Sequence, residues 1–266
     1  MHTRTLALGV VLATALSSAT ALASADAATS HHATGTTRAG AYVVDARVNK
    51  TEPLLDTKVK IKASVSPAAP GAAVTLQVRY QDQKRWKTID HGRLNGQSKV
   101  TFKDKVGSVR ERRYRVVKPV GDNHGAAQGS TPKVTVFGWR DLTSIDPVAN
   151  IGFSEQDPLN INGVAYPKSL LTAATGTQPA HVDYNLNHDC KQFSGTFGLD
   201  DRSPAAGTAA LTLAADGNQR FAGAFGLTQA QKVGADLTDV FRITISATTA
   251  NGGLAAVGSP QVLCSF

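Results

Sequence analysis

The stretch DCKQFSGTFGLDD at residues 189–201 shows the pattern on which the second half of the chain is built. Its apolar Phe193 and Phe197 alternate with small and polar residues before the chain reaches an Asp-Asp pair. Such alternation is typical of a β-strand with one buried face. The stretch also carries Cys190, one of two cysteines in the sequence, and the other is Cys264. A bond between them would close the whole segment from residue 190 to residue 264.

The first 27 residues have the composition of a secretory signal peptide. A positive residue, Arg4, precedes the apolar run LALGVVLATAL at residues 6–16, and small residues follow up to an Ala-Asp-Ala cleavage pattern at 25–27. A membrane anchor would need roughly 18 or more apolar residues, which is more than this run offers. We therefore expect a secreted protein, extracellular or cell-wall associated, with no transmembrane segment after removal of the signal. A polar stretch at residues 28–40 is expected to be a flexible leader.

Export also determines how the two cysteines are interpreted. In an oxidising compartment a pair of cysteines is most simply one disulfide, whereas a metal site would require more ligands at short spacing. The sequence therefore predicts a Cys190–Cys264 disulfide.

Charge divides the chain into two parts. The net charge is +8, but residues 28–136 hold 20 Lys and Arg against 8 Asp and Glu, while residues 137–266 hold 7 against 11. Two halves of opposite sign, each of ordinary domain length, indicate two domains. We place them at residues 41–137 and 138–266.

The first of these domains shows short alternating strands separated by turns. VKIKASV at residues 59–65 and VTLQVRY at 74–80 each alternate apolar and polar side chains, and further candidates follow at intervals of about ten residues. This spacing predicts a β-sandwich. With no cysteine in this part, we expect its core to form by packing around Trp86 and Tyr114.

Three pieces of this part also resemble the bacterial immunoglobulin-like domains of secreted proteins. They are the Pro/Gly turn at residues 67–71 before VTLQVRY, the RWKT step at 85–88, and RYRV at 113–116. The resemblance implies an immunoglobulin-like sandwich over about residues 41–136. Such domains are spacers or adhesive modules, so no catalytic residue follows from it.

Positive charge is concentrated in one short segment of this domain, at Lys103, Lys105, Arg110, Arg112, Arg113 and Arg115. One interpretation is a solvated sheet face. The other is a surface for an anionic cell-envelope polymer or acidic glycan, because summed positive charge concentrates polyanions. Nucleic acid is not expected, since no row of stacking aromatic residues lies between the cations.

The second domain again has the pattern of strands. HVDYNL at residues 181–186, AALTLA at 209–214 and VFRITISA at 240–247 alternate or run apolar, and Asp216-Gly217 marks a sharp turn. One segment, residues 229–237, could hold a turn or two of helix. The sequence thus predicts an all-β protein of two β-sandwich domains.

A second resemblance covers about residues 139–266. Its pieces are INGVAYPKSL at residues 161–170, Tyr184 to Leu186, Cys190 to Phe193, Gly198 to Asp201, and the later Asp216-Gly217 and strand 240–246. In this order they are similar to the family called the "novel putative carbohydrate-binding module". The resemblance implies a galactose-binding-like jelly roll that binds sugars, often attached to glycoside hydrolases.

A sugar-binding site needs an aromatic platform beside a few polar groups. The candidates in the second domain are Trp139, Tyr166 and Tyr184. Each could instead belong to the core, and burial is favoured for Tyr184 because it alternates with Val182 and Leu186. A carbohydrate or cell-envelope glycan is the expected partner, and no oligomeric state is indicated.

The adjacent acids Asp200 and Asp201 are the other candidate site. Neighbours in an extended segment point to opposite faces, whereas glycoside hydrolysis needs two carboxyl groups about 5 to 9.5 Å apart across one bond. They could serve as turn residues or as ligands of a structural calcium ion. No nucleophile, zinc or phosphate-loop motif is present. We therefore expect a non-catalytic binding protein, or alternatively a structural or protein-interaction surface protein whose jelly roll does not bind sugar.

Overall fold

The computed structural model describes residues 40–172 and 179–266, and these are almost entirely antiparallel strands. The predicted all-β class is confirmed. The predicted signal peptide at 1–27 and all but the last residue of the predicted leader at 28–40 lie outside the described residues. In the part of the chain that is described, no helix is long and apolar enough to cross a membrane.

The first sandwich consists of a three-stranded and a four-stranded sheet, in the orders β1-β2-β5 and β4-β3-β6-β7. This order of antiparallel strands is that of an immunoglobulin-like sandwich. The strands are β1 Val43–Val48, β2 Lys58–Ser66, β3 Ala73–Tyr80, β4 Lys87–Arg93, β5 Lys99–Lys105, β6 Arg112–Lys118 and β7 Ala127–Ser130.

The core between these sheets is formed by the alternating apolar residues, as the pattern predicts. Ile61, Leu76 and Tyr114 are fully buried in it. Trp86 was expected at its centre, and that expectation is wrong. Its indole is half-buried on the surface, where the guanidinium carbons of Arg79 and Arg115 lie 4.9 and 4.4 Å from the ring centroid. The cation–π contacts hold the ring outside the core.

The basic segment at residues 103–115 does not form one patch. Lys103 and Lys105 lie on the outer face of the three-stranded sheet, whereas Arg113 and Arg115 belong to the four-stranded sheet. Arg112 is buried and donates hydrogen bonds to the carbonyl oxygens of Ser108 and Arg110. Neighbouring residues in sequence thus contribute charge to different surfaces.

The second sandwich also consists of two antiparallel sheets, in the orders β17-β16-β19-β14-β9 and β10-β13-β20-β15-β18. Strand β8 pairs with the C-terminal part of β20, beyond the part that pairs with β13. A short hairpin, β11-β12, is separate from both. The elements are β8 Gly138–Asp141, the 3-10 helix η1 Leu142–Ser144, β9 Ala149–Ile151, β10 Phe153–Gln156, β11 Leu159–Ile161, β12 Val164–Tyr166, β13 Ser169–Thr172, β14 Ala180–Asn185, β15 Cys190–Leu199, β16 Thr208–Ala215, β17 Asn218–Gly226, β18 Ala230–Asp236, β19 Arg242–Ala250 and β20 Ala255–Cys264.

Strand β15, which carries the stretch at 189–201, lies in the middle of its sheet between β18 and β20. Phe193 and Phe197 point into the core, where their rings meet edge to face at 6.0 Å. At the start of the strand Cys190 is opposite Cys264, and the two form the predicted disulfide. The last strand of the chain is thereby bonded to a central strand of the sheet.

Residues 229–237 form no helix, so that alternative is wrong. They contain strand β18, which pairs with β15 from Gly198↔Ala230 to Gln192↔Asp236. Only Val233 and the partly buried Ala235 face the core, and the other positions are polar or small. The weak apolar content of an edge strand explains why its period could not be recognised in the sequence.

Candidate functional site

The outer face of the sheet that contains β15 and β20 holds most of the candidate side chains. Because partners in an antiparallel ladder point to the same side, the pairing aligns residues from four strands in rows. One row is Trp139, Leu263, Gln192 and Asp236, and the next is Asp141, Gln261, Ser194 and Gly234. The residues between these rows, such as Phe193 and Val262, face the core.

The β11-β12 hairpin covers the other half of this face. Leu159 and Ile161 of the hairpin pack with Leu171 and Ala256 in a small separate apolar cluster. Close approach is possible because the sheet has Gly198 beneath the hairpin: a Cβ there would lie 2.6 Å from Ile161 Cγ2. The hairpin is too short to reach the rows at the β8 end, which stay open to solvent.

We call this uncovered area, formed by Trp139, Asp141, Gln192, Ser194, Asp236 and Gln261, the open face. A hollow of about 440 Å³ lies on it, bordered by Trp139 and Asp236 with Gln192, Ser194 and Gly234 below. The Trp139 side chain is 47% exposed. Because Gly234 has no side chain, nothing projects from the sheet at the β18 end of its row, and this leaves the hollow.

Tyr166 lies where the hairpin meets the open part of the sheet. Its half-buried ring covers Gly258, at which an added Cβ would come within 2.6 Å of Tyr166 Cγ. The hydroxyl of Ser169 donates to the Tyr166 carbonyl oxygen at 3.0 Å and accepts the Ser259 amide. Trp139 is opposite Leu263, five residues along β20 from Gly258, so the two aromatic residues are separated by roughly 17 Å of strand.

The two carboxylates of the open face are each fixed by hydrogen bonds. Asp141 accepts hydrogen bonds from Gln261 Nε2 at 2.8 Å and from Lys168 Nζ at 2.6 Å. These two donors lower the pKa of Asp141. At the far edge, hydrogen bonds from the backbone and hydroxyl of Thr238 lower the pKa of Asp236. Both carboxyl groups are therefore ionised acceptors at neutral pH.

Tyr184, the third aromatic candidate, does not belong to this face. It lies on β14 in the opposite sheet with its side chain in the core, 2% exposed. Burial, with a smaller effect of Glu155, raises the pKa of its hydroxyl to about 12. The ring offers no surface to a ligand, in agreement with its alternation with Val182 and Leu186.

Asp200 and Asp201 follow β15 and have separate partners. Asp200 is buried, and its oxygens accept hydrogen bonds from the Arg202 guanidinium and backbone amide. Asp201 is exposed and accepts the Gly163 amide at 2.8 Å, which ties the β15 end to the β11-β12 turn. Both are turn residues in this arrangement.

The residues do not fit a calcium site built on this pair. Calcium takes six to eight oxygen ligands from several groups, whereas Asp200 is neutralised by Arg202 and the Asp201 carboxylate is bonded to the hairpin. In residues 40–172 and 179–266, no three His, Cys, Asp or Glu side chains are grouped so that they could hold a metal ion.

Sequence reasoning identified the aromatic residues but missed the polar part of the open face. Gln192 and Ser194 flank Phe193 on one strand, so strict alternation could have assigned them to the outer side. Asp141, Asp236 and Gln261 come close to them only because β15 pairs with β18 and β20, and β20 pairs in turn with β8. No local pattern reports that pairing.

Comparison with known proteins agrees with this architecture. Residues 132–256 match the family model described as "NPCBM/NEW2 domain". The segment from residue 132 to residue 256 is therefore similar to that family. The family match begins seven residues before Trp139 and includes the open face apart from Gln261. The predicted resemblance to this carbohydrate-binding-like family is thereby confirmed.

One curated relative was found for a longer part of the chain. It is named "Putative endo-alpha-N-acetylgalactosaminidase" and comes from Renibacterium salmoninarum. The similarity is 22% identity over 169 residues, which covers 59% of this chain and 11% of the relative. The chain thus corresponds to a small part of that relative's length.

Proposed function

We propose that this protein binds a glycan through the open face of its NPCBM/NEW2 domain. The observation that carries the proposal is the exposed Trp139 indole beside a hollow lined by the amide and hydroxyl groups of Gln192 and Ser194. An aromatic face packs against the C–H groups of a sugar ring, while amides and carboxylates bond its hydroxyls. A shallow site of this kind suits a sugar chain lying across the sheet.

We infer that the protein binds its glycan without cleaving it. Asp141 and Asp236 are the carboxylates of the open face, and three strand spacings separate them, about 14 Å or more. Glycoside hydrolysis normally uses a pair about 5 to 9.5 Å apart, one of them protonated as the acid. The lowered pKa of both groups argues against such an acid. The activity in the relative's name belongs to a protein of which this chain matches a small part.

We further infer that the protein acts outside the cell, free or associated with the cell wall. The signal-like composition of residues 1–27 supports export, and the Cys190–Cys264 disulfide suits an oxidising compartment. A glycan of the cell envelope or surroundings is then the partner within reach.

A glycan array probed with the purified protein tests the proposal. We expect concentration-dependent binding to at least one class of neutral or acidic glycan. Silence across the array would favour the alternative function, a structural or protein-interaction role. Incubating each bound glycan with the protein and measuring reducing ends tests the second inference, and release above that of buffer would contradict it.

A further inference from the structure

The outer face of the three-stranded sheet in the first sandwich is covered with lysine. Strand register places Lys58 opposite Lys105 and Lys60 opposite Lys103, with Lys62 opposite Arg47 on the other side. Lys99, at the start of β5, belongs to the same face. We call these seven residues the lysine face: Arg47, Lys58, Lys60, Lys62, Lys99, Lys103 and Lys105.

The positive charge of this face is largely uncompensated. Among the described residues, salt bridges reach two of the seven cations: Asp45 pairs with Arg47, and Asp56 pairs with Lys105. Asp104 lies between two of the lysines in sequence, but its carboxylate faces the other way and accepts a hydrogen bond from the Tyr114 hydroxyl at 2.7 Å. It therefore does not offset the lysines beside it.

Like charges that are directly opposite in an antiparallel ladder destabilise it. Two lysine pairs occupy adjacent positions in this sheet, and a Lys-Arg pair lies beyond them. Replacing these cations with neutral residues would make the sheet more stable. The cost is relieved when an anion lies between the ammonium groups. This arrangement is a reason to regard the face as a binding surface rather than as a solvated one.

The shape of the face admits an extended chain. A hollow of about 560 Å³ lies at one end of it, lined by the cations Arg47, Lys62 and Lys99. Asp45 also lines it, and its carboxylate is paired with Arg47. From there the lysines continue along β2 and β5 with a repeat of roughly 6.7 Å along a strand and 4.8 Å between strands. Charges of a linear polymer can meet several of them in succession.

The side chains indicate which polyanion fits. Among the described residues of this face there is no exposed aromatic ring on which a base could stack. Six of the seven cations are lysines, which act as point charges and bind a carboxylate without the fixed two-bond geometry that arginine imposes on carboxylate and phosphate alike. Among the described residues of the lysine face, Val43 is the large apolar side chain that is exposed, and one such side chain gives too little apolar surface to enter a membrane.

We propose that the lysine face binds a linear polysaccharide that carries carboxylate groups. This site lies in the other sandwich from the open face and does not depend on the function proposed there. The two together would give one chain two separate glycan contacts.

Binding of polygalacturonate by the whole protein tests the proposal, with uncharged dextran as the blank. The variant Lys58→Gln, Lys60→Gln, Lys62→Gln, Lys103→Gln removes four charges from the face. The control Lys84→Gln, Arg85→Gln, Lys87→Gln, Arg113→Gln removes four exposed charges elsewhere on the same sandwich. We expect the first to lose about tenfold or more in affinity and the control about threefold or less, since steering by net charge is weaker than direct contact.

Salt and competing polyanions complete the test. If about four charges are contacted, affinity should fall on the order of fiftyfold between about 50 and about 200 mM NaCl. Equal losses in the two variants would overturn the proposal, as would tighter binding to a single-stranded DNA or to anionic lipid vesicles than to polygalacturonate. Trp139→Ala should leave the affinity for polygalacturonate unchanged. The lysine-face proposal and the open-face proposal can therefore fail independently of each other.

Discussion

The carboxylate of Asp141 is held from two sides, by the Gln261 amide and the Lys168 ammonium. Because its pKa is lowered in the folded protein, its contribution to stability is present above the ordinary pKa and is lost as the pH falls through the lowered one. Asp141→Asn should reduce the free energy of unfolding by about 0.5 to 1 kcal/mol at neutral pH, since Lys168 is largely exposed.

Urea unfolding of the wild type and Asp141→Asn across the acid range measures this effect. The difference between the two proteins should shrink as the pH falls below the ordinary pKa of an aspartate and vanish once the carboxylate is fully protonated. A difference that stays constant with pH would mean that the charge of Asp141 is not what stabilises this part of the open face.

Single residues also show how far sequence alone could predict the site. Alternation assigned Tyr184 to the core, because its neighbours Val182 and Leu186 share its face. It failed for Trp86, which immediately precedes β4 and whose environment is formed by Arg79 and Arg115 from two other strands. A side chain held by partners distant in sequence has no local signature.

At the scale of the strand, the opposed lysines of β2 and β5 give a direct prediction. Lys60→Glu replaces a like-charge pair with Lys103 by an opposite-charge pair, so the sandwich should become more stable by about 0.2 to 1 kcal/mol. Lys87→Glu on β4 is the matched control, because Lys87 is opposite the apolar Val78. Urea unfolding at low ionic strength measures both.

High salt should reduce the gain from Lys60→Glu, since both charges are exposed and screened. A loss of stability in this variant, or an equal gain in the Lys87→Glu control, would contradict the view that the lysine pairs repel each other.

The elements were easier to predict than their pairing. Most strands and the Asp216-Gly217 turn followed from alternation and turn residues. The placement of the β11-β12 hairpin over Gly198 and Gly258 did not, since it depends on contacts with strands that begin about 30 and 90 residues later. That hairpin decides which half of the sheet is open.

For the whole molecule, the Cys190–Cys264 bond closes the C-terminal sandwich across a separation of 74 residues. In the loop-entropy account a ring of this size contributes about 4 kcal/mol. The double variant Cys190→Ser, Cys264→Ser should therefore lower the stability of the C-terminal sandwich by about that amount. The immunoglobulin-like sandwich, which contains no cysteine, should keep its own stability.

Thermal unfolding followed by calorimetry can separate these effects. Loss of the disulfide should move the transition of the C-terminal sandwich to lower temperature, and reduction of the wild type should reproduce the shift. An unchanged transition in the double variant would mean that packing of β20 between β15 and its other neighbours holds the last strand without the bond.

The central claim is that Trp139 and the open face bind a glycan, and the most direct measurement compares three proteins on one glycan array. These are the wild type, Trp139→Ala and Trp86→Ala, which removes the same side chain from the other sandwich. We predict binding by the wild type and Trp86→Ala, with about tenfold or greater loss in Trp139→Ala at an unchanged unfolding midpoint, because truncating a central aromatic anchor costs more than 1 kcal/mol. Equal binding by Trp139→Ala and the wild type would contradict the account.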